Sequence, residues 1–386
     1  MSINTDQRGV ADRSALPPLG RTSFHGGNAT LTICDGPDGS ALFKEFADAF
    51  RDHLDADALT SLVAWRLGLS DEDRRELDTF AAWPRLVIRD GPVTAGLVIP
   101  VAPSTFLLDE TTATAPTART LASLVRPGVD TGTAVMPIPR VLGAVGLVVR
   151  AMLWLHRRDV VVNDVQPDNI LISEDGGRVY LVDCDAMASP AWGSVAGPAA
   201  PEYLREVLAD PDDQSPGTDF AKLAWCLIFL VLDDFSIRTL GDDELRRLRD
   251  FMPQSAVDLV LASRDPGNYQ PNRVRDWQAV ASIWIRAARH NLVLTDRGLR
   301  PWPSAPAPAR SPHALPAGPS SAASPSRPSS AEVVGQWDEA RLDGAEPTSP
   351  AALPRPERRH PGRSLLLAVV VLASVIAAVL LVSFVV

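Results

Sequence analysis

Lysine is almost missing from this chain. Of its 37 basic residues only Lys44 and Lys222 are lysines, so arginine carries nearly all the positive charge, the usage expected of a GC-rich, bacterial genome. Cysteine is scarce too: Cys34, Cys184 and Cys226 are odd in number and far apart, which fits neither a disulfide framework nor a zinc site and suits a reducing compartment. Positive charge is in deficit, with a net charge of -10. Nucleic-acid surfaces neutralise phosphates with Lys and Arg, so no nucleic-acid partner is expected. Residues 1–14 lack the apolar run of a signal peptide and read as a disordered N-terminus. No internal repeat is present.

What the chain does contain is one long uncharged run. Ser364 to Val386 has no charge, no Pro and no Gly. At about 1.5 Å of helical rise per residue it covers a hydrocarbon core of about 30 Å. Arg355, Arg358, Arg359 and Arg363 stand just before it and would be kept on the cytoplasmic side. The expectation is a single-pass C-terminal anchor: residues 364–386 form a transmembrane helix in the lipid bilayer and the rest is cytoplasmic. Between Trp302 and Pro361 the chain turns to Pro, Ala and Ser, a composition that cannot bury enough surface to offset its ordering entropy. Residues 302–361 are therefore expected to be a disordered linker. Its reach of roughly 40 Å would favour partners close to the membrane.

One folded unit remains, residues 15–295, and the 46% apolar content is ample for a core. Short apolar runs bounded by turn signals predict strands at Ala29 to Cys34, Ser40 to Phe46, Pro84 to Arg89 and Thr94 to Pro100. Amphipathic spacing predicts helices at Asp55 to Leu67 and Ser70 to Ala81, the second capped by Ser70, and later at Val141 to His156, Thr218 to Leu232 and Val274 to His290. The fold class expected is α+β, with a small sheet-rich lobe before a larger helical one.

The chemistry concentrates between Leu155 and Ala186. After the helix ending near His156 come the apolar Val160 to Val162, then Asp164, then Asn169 five residues on. Ile170 to Ile172 and Val179 to Val182 flank an acidic glycine turn, and Asp183 closes the second strand. A hairpin with Asn169 at its start and Asp183 at its end brings two oxygen ligands together, the hard donors that Mg²⁺ prefers. Asp164, on the loop before it, can face a hydroxyl that attacks a γ-phosphate.

These residues resemble the catalytic and metal-binding loops of the protein kinase superfamily. Val162-Asn163-Asp164 followed by Asn169 stands where that family has His-Arg-Asp and Asn, and Asp183-Cys184-Asp185 where it has Asp-Phe-Gly. Ala200-Pro201-Glu202 matches the motif closing the activation segment, and Asp219 opens an apolar helix as the family's central helix is opened. Upstream, Lys44 at the end of Ser40-Ala-Leu-Phe resembles the strand lysine that holds the α- and β-phosphates, and Gly26 and Gly27 take the place of the glycine-rich loop. More narrowly, Ala82-Trp83-Pro84 and the Asp-Cys-Asp triplet are similar to a bacterial serine/threonine kinase-like branch. Some of its members carry helix-hairpin-helix DNA-binding segments, and no such segment occurs here.

The resemblance implies a bilobal kinase-like fold that uses ATP and Mg²⁺. Asp164 would be catalytic, Lys44, Gly26 and Gly27 would bind the nucleotide, and Asn169 and Asp183 would hold the metal. Protein substrates near the membrane would receive the phosphoryl group. Two of the departures from the family pattern, Asn163 and Gln166, point to an alternative, a weak or inactive pseudokinase acting as a nucleotide-binding membrane scaffold. Asn163 replaces the catalytic-loop Arg, Gln166 replaces the Lys that neutralises the γ-phosphate, and the glycine spacing is irregular. Asp57 and Glu76 are both candidates for the acid that pairs with Lys44, and Asp185 either binds a second cation or stabilises its loop.

Overall fold

A computed structural model describes residues 5–16, 23–25, 28–37, 39–107, 118–123, 136–197 and 199–302. The expected transmembrane helix, the linker beyond Trp302, and Gly26 and Gly27 lie outside these residues. The chain is α+β, sheet-rich at its N-terminal end and helical after it. Strands β1 (Val10–Asp12), β2 (Ser23–His25), β3 (Ala29–Gly36) and β4 (Gly39–Phe46) come first. Helices α1 (Asp48–Arg51), α2 (Ala56–Gly68) and α3 (Asp71–Phe80) follow, then β5 (Leu86–Asp90) and β6 (Val93–Pro100). The six strands form one sheet in the order β1-β5-β6-β4-β3-β2. Only β1 pairs in parallel, along β5; the other pairs are antiparallel.

The helical part opens with α4 (Ile138–His156). A hairpin of β7 (Ile170–Ile172) and β8 (Val179–Leu181) and a ribbon of β9 (Ala188–Ser189) and β10 (Gly193–Ser194) follow. Helices α5 (Glu202–Arg205), α6 (Pro216–Leu232), α7 (Asp242–Phe251), α8 (Gln254–Ser263) and α9 (Pro271–Arg289) come next, and β11 (Leu292–Thr295) and β12 (Gly298–Pro301) close the described chain. Caps set several boundaries. Asp55 accepts from the amides of Asp57 and Ala58 at the start of α2, and Ser70 accepts from Asp73 N at 3.1 Å at the start of α3. Three acids in the first turn of α3 also favour the positive end of its dipole.

Helix α4 is long and apolar enough to cross a bilayer, yet 78% of its most apolar window is buried inside the fold. It is a core helix packed against α9, and Gly146 permits the close approach: a Cβ there would lie 2.8 Å from Ala281 O. The main core runs from α2 and α3 through α4 and β7 to α6, where nearly every side chain is buried. A smaller cluster, including Phe43, Ile88 and Val98, covers the other face of the sheet.

Both ends of the folded unit extend past their predicted limits. Within residues 1–14, expected to be disordered, β1 adds to the sheet edge, Ala11 and nearby Leu16 join the smaller cluster, and Arg13 lies 4.3 Å over the Phe43 ring. So polar a stretch gives no hydrophobic period; backbone pairing and a few buried side chains order it. At the other end, β12 carries the unit beyond residue 295, and Trp302, expected to begin the linker, packs on Phe251 with ring centroids 5.7 Å apart.

Candidate functional site

Three stretches far apart in sequence meet beside the sheet. Lys44 projects from β4, and its ammonium donates to Asp183 Oδ1 at 3.1 Å and to Asp185 Oδ1 and Oδ2 at 2.8 and 2.9 Å. Burial disfavours the charge on Lys44, but the two carboxylates outweigh it and raise its pKa above the ordinary lysine value. The strand that carries Lys44 runs unusually close to β6. A Cβ on Gly96 would lie 2.1 Å from Lys44 O, so only glycine fits there.

The acid left open between Asp57 and Glu76 is neither of them. Asp57 is exposed on the first turn of α2, and Glu76 lies near Arg157. Lys44 takes its partners instead from the loop after β8. Of the two alternatives for Asp185, the ion pair fits stabilisation of its loop.

The β7–β8 hairpin fixes the other groups. Val182 N donates to Asn169 O at 3.0 Å, which ties the residue before β7 to the residue before Asp183. Asn169 Nδ2 donates to Asp164 Oδ2 at 2.6 Å, and Gln166 Nε2 lies 3.0 Å from each Asp164 oxygen. Burial raises the Asp164 pKa from the usual carboxylate value, opposed by these hydrogen bonds and by the Lys222 charge. Asp183 holds a left-handed backbone, φ 53°, a conformation that a short polar side chain tolerates better than an apolar one. The structure thus brings Lys44, Asp164, Asn169 and Asp183 into one region.

The donor chemistry fits Mg²⁺. With its NH₂ committed to Asp164, Asn169 has its amide oxygen for a cation, and the Asp183 side chain is half exposed. Among the described residues no three His, Cys, Asp or Glu side chains group closely enough to hold a metal alone. An ion here would be held by one carboxylate and one amide and completed by phosphate oxygens and water.

The loop carrying Asp164 is anchored from below by α6. Asp219, fully buried, accepts from Val162 N at 2.7 Å, from Asn163 N at 2.8 Å and from His156 Nε2 at 2.8 Å. Asn163 is itself buried at φ 66°. Its Nδ2 donates to Ala186 O and Gly197 O at 2.9 and 3.0 Å, and its Oδ1 accepts from Ala199 N at 3.3 Å. A neutral amide therefore ties the Asp164 loop to the segment that follows Asp185. Lys222, also buried, donates to Asn163 O and to Ala199 O, and burial lowers its pKa.

Lys222 belongs to none of the sequence motifs. The available signal was that it is the second of only two lysines in an arginine-rich chain. Cys184, next to Asp183, is fully buried and its thiol pKa is raised by burial, which makes it an inert core residue. A small cleft between Phe220, Tyr269 and Trp277 shares no residue with this site.

No family model matches the chain, and no curated protein matches it.

Proposed function

We propose that this protein is a membrane-anchored, protein-kinase-like phosphotransferase that moves the γ-phosphoryl group of Mg-ATP to protein hydroxyl groups. The observation that carries this reading is the Lys44 to Asp183 contact across 139 residues, which places a strand lysine beside the hairpin bearing Asn169 and next to the loop of Asp164. In protein kinases the phosphate-binding lysine sits on the third strand of the antiparallel run. Lys44 stands on β4, the third strand of the antiparallel run counted from β2, which supports giving it that role. The bilobal kinase-like arrangement is part of the same reading.

Each group has a role that its surroundings suit. Lys44 would bind the α- and β-phosphates. Asp164, held by Gln166 and Asn169, would orient the acceptor hydroxyl and take its proton. Asn169 and Asp183 would hold Mg²⁺, which when bound neutralises charge on the phosphates. Asp219 fixes the backbone of the catalytic loop, so the position of Asp164 depends on α6 rather than on solvent-exposed contacts. Residues 364–386 would tether the domain to the bilayer, with Gly26 and Gly27 over the nucleotide.

The test is transfer of γ-labelled phosphate from ATP by the full-length chain in mild detergent. Asp164→Ala should abolish transfer while nucleotide still binds; an unchanged rate sinks the proposal. A second reading, a nucleotide-binding scaffold without turnover, is favoured by Gln166. It supplies no positive charge to a γ-phosphate and spends its amide on Asp164. Mg-ATP binding without transfer would select that reading. Recovery of the full chain in membranes, and of a chain ending at Arg363 in the soluble fraction, tests the anchor.

A further inference from the structure

The two acids on Lys44 are not equivalent. Asp185 grips the ammonium with both oxygens and its side chain is 12% exposed; Asp183 makes a single, longer contact and its side chain is 50% exposed. An ammonium has three N–H donors, and three carboxylate oxygens already surround this one. A phosphate can reach it only if one contact is given up. Asp185 is poorly placed to yield. It lies in a tight turn closed by Ala186 N on Asp183 O and by Met187 N on Cys184 O, over the fully buried Cys184. Asp183 faces solvent and is free to turn away.

We infer that Asp185 is the fixed positioning residue of Lys44, replacing the helical acid, and that Asp183 is the exchangeable partner, released from Lys44 when Mg-nucleotide binds. This rests on the nucleotide role proposed for Lys44. In kinases whose lysine pairs with a helical glutamate, movement of that helix controls the site. Here the partner of the lysine comes from the same loop as the metal ligand, and α2 and α3 supply no acid to Lys44. Nucleotide binding is then set by exchange within one turn and needs no helix to swing.

The experiment measures displacement of a fluorescent ATP analogue from the full-length chain, with and without Mg²⁺, in Asp183→Asn, Asp185→Asn, Asp185→Glu and Lys44→Met. Without Mg²⁺, Asp183→Asn removes a competitor for the ammonium and should tighten ATP binding, whereas Asp185→Asn should weaken it by about tenfold. With Mg²⁺, Asp183→Asn should raise the half-saturating metal concentration by about tenfold, and Asp185→Asn should leave it unchanged. Asp185→Glu should recover part of the affinity.

A loss of packing alone would move both asparagine variants in the same direction. Opposite signs without Mg²⁺ support the inference; equal signs, or a metal dependence that follows Asp185, overturn it. If Asp185→Asn does not fold, the sign for Asp183→Asn and the metal dependence of Asp185→Glu still decide. Full ATP affinity in Lys44→Met would instead overturn the nucleotide role of Lys44, an outcome distinct from either result above.

Discussion

Asp219 offers the sharpest test of how the site is built. Its carboxylate is fully buried and accepts two backbone N–H groups and one imidazole N–H within 2.8 Å. In Asp219→Ala those three donors lose their acceptor inside the core. At about 1–3 kcal/mol for each of the three buried unsatisfied groups the loss is about 3–9 kcal/mol. That is much of the roughly 5–15 kcal/mol that holds a domain together. Asp219→Asn is milder, because its amide oxygen in place of Oδ2 still accepts from Val162 N and His156 Nε2 while its NH₂ faces Asn163 N, and with those two opposed donors unsatisfied about 2–4 kcal/mol is expected.

Urea unfolding of the full-length chain, followed by far-ultraviolet circular dichroism, reads this out. With a urea slope near 3 kcal/mol/M for a unit of this size, Asp219→Asn should lower the midpoint by about 1 M. A shift below about 0.3 M would falsify the view that α6 anchors the Asp164 loop, since the three hydrogen bonds would then carry little net energy. Asp219→Asn should also slow phosphoryl transfer more than it weakens ATP binding, because Lys44 belongs to a different element.

Other outcomes follow from single residues. Gly96→Ala places a methyl group against Lys44 O, and is expected to cost about 2–4 kcal/mol by pushing β4 off β6; a thermal unfolding midpoint within a degree of wild type would refute it. Asn163→Arg, which restores the residue of the resembling family, should destabilise the chain rather than activate it. The site is buried with positive φ, and three hydrogen bonds are lost, so a cost of about 3 kcal/mol is expected in the same urea assay. Burial raises the Asp164 pKa, and a general base works ionised, so activity should fall on the acid side at a pH above the ordinary aspartate range. Gln166→Met, which removes donors to that carboxylate, should move the limb higher still, and a pH–rate profile with an acid limb at or below the ordinary range refutes the assignment. The same shift lowers stability as pH rises from the unfolded-state pKa through the raised folded one, after which the contribution levels off.

Local patterns made much of the fold legible. Strands β3 to β6 show in short apolar runs between turn signals, and α2, α3, α4, α6 and α9 in helical spacing, because these elements bury apolar side chains in the main core and, for the strands, in the smaller cluster on the other face of the sheet. Strand β1 and hairpin β11–β12 were not legible; they are held by pairing with neighbours, and backbone hydrogen bonds leave no mark on composition. Within the candidate site, the order Asp164, Asn169, Asp183 could be read because one hairpin contains it.

The sequence by itself determined that lysine is kept at only two positions and that one loop and hairpin carry Asp164, Asn169 and Asp183. Only the tertiary structure decided what those lysines touch. Lys44 meets acids about 140 residues away in sequence, and Lys222 reaches the carbonyls of Asn163 and Ala199. A buried ammonium is stable only where carboxylates or carbonyls converge on it, and that convergence is set by how β4, the β7–β8 hairpin and α6 pack, which no local pattern encodes.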